Sequence, residues 1–106
     1  MTTPRVPEEP DERQLVAVPA HPGAGPGELV LEARREPRGV VLPVFSSVRV
    51  LVNALGRSQP WAVMPLSRAG DLASAAGVDQ IMFDPEISAG AWQWEPFEAA
   101  GLTWRR

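Results

Sequence analysis

The chain has no cysteine, no lysine and a single histidine. The first absence removes disulfides, thiolate nucleophiles and cysteine-based metal sites together, and it is compatible with a reducing compartment. The second leaves arginine as the source of all ten basic side chains. With the abundant Ala, Gly and Pro, that bias points to a high-G+C genome, a statement about codons and not about chemistry. Long hydrophobic runs are also missing. Runs such as Val40–Phe45 have six residues, far from the roughly 18–20 of a membrane span. The N-terminus carries Pro and acid where a secretory leader needs a basic and then an apolar stretch.

Charge is scarce in one sense only. The formal net charge is −3, and it is concentrated at the start of the chain. Residues 1–12 hold Glu8, Glu9, Asp11 and Glu12 against Arg5, whereas residues 13–106 are balanced at nine acidic and nine basic groups. Nucleic-acid binding draws on a surplus of positive charge to release counterions. The doublets Arg34-Arg35 and Arg105-Arg106 do not supply one, so no nucleic-acid partner is expected, and no membrane partner either.

What is present is an ordinary globular composition, 44% hydrophobic over 106 residues, enough for one domain with a stability on the order of 5–8 kcal/mol. Residues 1–27 hold six of the twelve prolines and three of the nine glycines. They read as a flexible, acidic, Pro/Gly-rich segment, with Gln14–Val18 at most an edge strand and His21–Gly27 a loop. A single domain is expected over residues 28–106. Leu29–Ala33 and Val40–Phe45 read as two strands joined by a turn over Arg34–Gly39, hence a hairpin. Val48, Leu51, Val52 and Leu55 fall at i, i+3, i+4 and i+7, one face of a helix that Ser46 or Ser47 can cap and Gly56 can end. A similar unit follows. Trp61–Leu66 reads as a strand. Ser67 is placed to cap a helix whose inner face holds Ala69, Leu72, Ala73 and Ala76, with Gly77 at its end. Val78–Phe83 is the next strand and Asp84-Pro85 stops it. Ser88–Trp94 reads as a short helix broken by Pro96, and Leu102–Trp104 as a last strand. The fold class is therefore α/β (α+β): a small mixed β-sheet with two short helices in the order β(hairpin)β-α-β-α-β, its crossovers right-handed.

Catalytic groupings are wanting. His21 stands between Ala20 and Pro22 with nothing to fix an imidazole, so neither a Ser-His-Asp relay nor a metal site is expected. Gly23-Ala24-Gly25-Pro26-Gly27 mimics a phosphate loop but lacks the Gly-Lys-Ser/Thr ending, and Pro26 has no N–H to offer an anion. Asp71, Asp79, Asp84 and Glu86 are the candidate acids and bases. Asp71 is expected in the first turn of its helix, where it favours the dipole, and Asp79 and Asp84 at turns. No catalytic residue, cofactor or metal is expected.

The stretch Pro43-Val44-Phe45-Ser46-Ser47, with Leu55-Gly56, Leu72, Gly77 and Asp84-Pro85, resembles the N-terminal domain of the SseB family (enhanced serine sensitivity type). The resemblance covers about residues 39–88, and its motifs are strand ends, caps and turns. It implies an α/β domain without catalytic residues, in a family of bacterial accessory proteins, some of them associated with secretion.

The expected function is thus that of a non-catalytic, cytoplasmic protein-binding accessory or adaptor domain, able to self-associate. All four tryptophans, Trp61, Trp92, Trp94 and Trp104, lie in the last 46 residues and are the candidate partner-binding residues. On a helix Trp92 and Trp94 point about 200° apart, so one of them is expected outward, where Trp supplies rigid contact area. A free sheet edge is the further candidate surface. The alternative is a small-molecule or anion-binding domain that uses the helix N-termini at Ser46, Ser47 and Ser67.

Overall fold

A computed structural model describes residues 11–37, 39–86 and 103–105. Along the chain run β1 (Leu15–Pro22), β2 (Glu28–Leu31), β3 (Arg34–Glu36), β4 (Gly39–Val44), α1 (Val48–Leu55), β5 (Trp61–Pro65), α2 (Leu66–Ala75), β6 (Gln80–Phe83) and β7 (Thr103–Arg105). The strands form two small sheets, β5-β1-β2-β7 and β3-β4-β6. Ala17 of β1 and Phe45 at the end of β4 join them, exchanging two hydrogen bonds of 2.8 Å. The pairs are antiparallel except β4–β6, which is parallel. The expected α+β class with two short helices is what the chain adopts.

The two helices lie on opposite faces. Val16, Val18 and Ala20 point from β1 into a core shared with Ala69, Leu72 and Ala73 of α2. Ala17 points the other way, into a smaller cluster with Phe45 and Leu51 of α1. Alternation along a strand sends successive side chains to opposite faces, so β1 is buried on both. Because β1 is antiparallel to both β4 and β5, those two strands run in the same direction. The chain leaves β4 over one face to reach β5 and returns over the other to reach β6. Opposite directions on opposite faces give the two crossovers the same hand, as expected of consecutive βα units.

Three readings of the sequence need correction here. The flexible segment over residues 1–27 and the domain start at 28 give way over β1, which lies in the middle of the assembly with Val16–Ala20 all buried. Its apolar run is interrupted by Pro19, which misleads, but that proline sits where only its carbonyl is needed, accepting from Glu32 N–H at 2.8 Å. His21 belongs to this strand, opposite Val30, and is half-buried. The expected hairpin partner is also different. β4 pairs with Arg34–Glu36, not with the apolar run before it; β2 pairs with β1 and β7 instead. Charge made β3 read as a turn, yet its three residues keep their side chains at a half-exposed surface.

Pro43, inside β4, finds the same accommodation. Phe45 directs its backbone groups to β1, so by alternation Pro43 faces the same side, between the stretch paired with β3 and the bridge to β1. A missing N–H is harmless there.

Candidate functional site

The acids expected to be structural are largely spent. Asp79 Oδ2 accepts from Val40 N–H at 2.7 Å, and Asp79 N–H donates to Val40 O at 2.8 Å. Asp84, with φ of 47°, accepts from Ser46 N–H at 2.7 Å and donates its own N–H to Val44 O at 2.8 Å. The two carboxylates thus pin β6 to β4 at both ends, and Asp is among the few residues that tolerate the left-handed region. Gly39, at φ +134°, is packed directly under Asp79: a Cβ there would collide with the carboxylate. Asp71 is exposed in the second turn of α2 because the helix starts at Leu66, so the expected first-turn placement is corrected. Asp71 and Glu12 border an open groove of about 540 Å³ whose floor is Leu66, Gly70, Ile81 and Phe83. Ser67 lines the groove with them, and no histidine is among its described lining residues.

The helix N-termini are filled in two different ways. Ser47 caps α1, its Oγ accepting from Val50 N–H at 3.2 Å. Ser46 N–H is engaged by Asp84. Ser67 does not cap α2; the cap position is Pro65, without a side-chain bond. Leu66 N–H and Ser67 N–H donate instead to the carbonyls of Gln14 and Glu12, both at 2.8 Å. Orphan amides that already face a carbonyl have no lone donor left for an anion.

Among the candidate tryptophans, Trp61 is half-buried at the start of β5 against the α1 cluster. Trp104 lies in β7, opposite Leu29. Trp92 and Trp94 fall outside the described residues, and with them the expected helix over Ser88–Trp94.

The surface that the sequence reading named last is the one the fold builds most clearly. β5 pairs with β1 on one side through Val16↔Met64, Ala17↔Val63 and Val18↔Ala62. In an antiparallel ladder, residues directly opposite either exchange both hydrogen bonds or point both sets away. Ala17 gives its N–H and C=O to Phe45, so Val63 must turn its own N–H and C=O away from β1. Trp61, two residues before, does the same, whereas Pro65, two residues after, has no N–H and serves α2 as its N-cap. Among the described residues no hydrogen bond reaches the N–H or C=O of Val63. Its side chain is 44% exposed, and Leu15, diagonally across the ladder on the same face, is 60% exposed. These two are the most exposed large hydrophobic side chains among the described residues. Natural edge strands are usually blunted by charge, a bulge or a covering element. Here residues 58–66 carry no ionisable group, and only Pro65 at the strand's end interrupts the edge.

No protein-family model, curated protein or solved structure matches the chain.

Proposed function

We propose that this chain is a non-catalytic protein-binding domain of the accessory or adaptor kind, which receives an extended segment of a partner on the open edge of β5. The observation that carries the reading is the outward N–H and C=O of Val63, set in an uncharged strand whose exposed Val63 side chain lies beside the exposed Leu15. Strand addition uses main-chain hydrogen bonds for affinity and alternate side chains for specificity. An edge of this composition is suited to it and poorly suited to lying bare. The acids committed to holding β4 and β6 together, and the helix N-terminal amides met by the Ser47 hydroxyl at α1 and by backbone carbonyls at α2, favour binding over catalysis or anion capture. The resemblance of the motifs over about residues 39–88 to the SseB family favours an accessory role, with secretion as a candidate setting, and the absence of cysteine suits a reducing cytoplasm.

The test is site-specific photo-crosslinking in the native cell. A benzoylphenylalanine at position 63 is expected to give discrete protein adducts, while the same group at Ser74, exposed on α2, gives none. Equal adducts at both positions, or none at 63, would refute binding at this edge.

A further inference from the structure

We infer that the strand received by the β5 edge is the β5 edge of a second copy of this chain, paired antiparallel about a two-fold axis at Val63. The inference rests on the strand-addition reading and names its partner.

The edge is complementary to its own image. The outward residues are Trp61, Val63 and Pro65, placed symmetrically about Val63. Rotated onto itself, the strand sets Val63 opposite Val63 of the second copy. That pair exchanges two hydrogen bonds, as the closely spaced pairs of an antiparallel ladder do. Each Trp61 then stands opposite Pro65 of the other copy, which has no N–H to give and whose carbonyl, at the N-cap of α2, already accepts the first bond of that helix. The ladder therefore ends after the two Val63 bonds. The side chains agree with the backbone. Val63 meets Val63 and Trp61 meets Pro65, apolar contacts on one face, with the exposed Leu15 flanking them.

Charge and size narrow the partner further. Like charges directly opposite each other oppose pairing, and residues 58–66 have none to bring together. For the same reason the edge offers nothing by which a strongly charged partner strand would be selected. Isologous two-fold pairing is the commonest form of self-association. Five residues a side is far below the roughly 20–30 a side of a stable interface. The pair therefore belongs to the weak, reversible class, with a dissociation constant in the micromolar to millimolar range.

The test is sedimentation velocity on the full chain from about 10 µM to about 1 mM, bracketing that range. Val63→Pro removes an N–H that the monomer does not use, a substitution an edge strand accepts, and takes away both bonds of the Val63 pair. Val63→Arg sets two cations face to face. Ser74→Arg is the control. The wild type and Ser74→Arg are expected to shift from monomer to dimer with concentration, while both Val63 variants associate at least tenfold more weakly. If Val63→Pro loses its fold by circular dichroism, Val63→Arg alone decides. A wild type that stays monomeric at the highest concentration, or a dimer that survives both Val63 substitutions, overturns self-pairing. The crosslinking experiment separates this failure from the wider one. Adducts at position 63 with a different protein leave strand addition standing and remove only the second copy as partner.

Discussion

The two helices start in opposite ways. At α1 the first turn is satisfied from within, by the Ser47 hydroxyl three residues before Val50. At α2 it is satisfied from 52 and 55 residues away in sequence, by the backbone carbonyl of Gln14 for Leu66 and by that of Glu12 for Ser67. The packing beneath them contrasts as well. α2 rests on the larger core with Ala69, Leu72 and Ala73, whereas α1 has only Leu51 fully buried, against Phe45 and Ala17. A local cap makes a helix legible and self-contained. A remote one ties the helix to a segment whose composition does not announce structure.

The largest expected effect lies in the smaller cluster. Leu51→Ala should cost about 2–5 kcal/mol, at the upper end of that range, because Leu51 is fully buried. Leu72→Ala, at a site still 9% exposed, should fall at the lower end. Urea unfolding of both measures the difference, and a larger loss at Leu72 would reverse the contrast between the two faces. The remote cap comes next. A chain starting at residue 15 lacks the Glu12 and Gln14 carbonyls and should lose about 1–2 kcal/mol relative to one starting at residue 11, read as a drop of roughly 4–8 °C per kcal/mol in thermal midpoint. An unchanged midpoint would show that water serves α2 as well as the backbone does.

Serine substitutions sharpen the same contrast at smaller scale. Ser47→Ala should destabilise by about 1 kcal/mol, the usual worth of an N-cap, and Ser67→Ala by less than about 0.5 kcal/mol, as a surface change. Equal losses would return Ser67 to the capping role the sequence suggests. The smallest effect has the opposite sign. Gly70 sits inside α2 with ordinary helical φ, and a Cβ there would meet only Ile81 Cδ1, at 3.9 Å. Gly70→Ala should therefore stabilise by about 0.5–1 kcal/mol, the helix-interior penalty of glycine, measured in the same urea titration.

Periodicity and punctuation explain which parts of the fold were legible. Val48, Leu51, Val52 and Leu55 with Gly56 define α1 from the chain alone. Gly77, at φ 76°, closes α2 in the expected place, with Val78 N–H on Ala73 O at 2.9 Å and Gly77 N–H on Ser74 O at 3.2 Å. That is the double bond pattern of a glycine-terminated helix. What failed was non-local. Gln14–Val18 reads as an edge strand and His21–Gly27 as a loop because the prolines suggest irregular backbone, and nothing within the segment reveals that β5 and Phe45 will cover both sides of β1. Arg34–Glu36 reads as a turn because strand character there comes from pairing with β4, not from propensity, a known weakness of strand assignment. The candidate site suffered likewise. Tryptophan content drew attention to Trp61, Trp92, Trp94 and Trp104, while Val63 and Leu15 stand out only once the Ala17–Phe45 bridge fixes which way the β5 backbone points. Alternation in Trp61-Ala62-Val63-Met64-Pro65 was the available signal. Ala62 and Met64 are buried and Val63 is exposed, but which of the two apolar faces is covered is decided by elements far away in sequence.

The direction of the β5 backbone is the point on which the account turns, and amide hydrogen exchange by NMR in dilute solution reads it residue by residue. Ala62 and Met64 donate to β1 and should exchange slowly. Val63, between them, should exchange close to the rate of an unstructured amide, and should become protected as the protein concentration is raised. A Val63 amide as protected as its two neighbours at low concentration would mean that the edge is already covered within the single chain, and would contradict both the open edge and the pairing proposed for it.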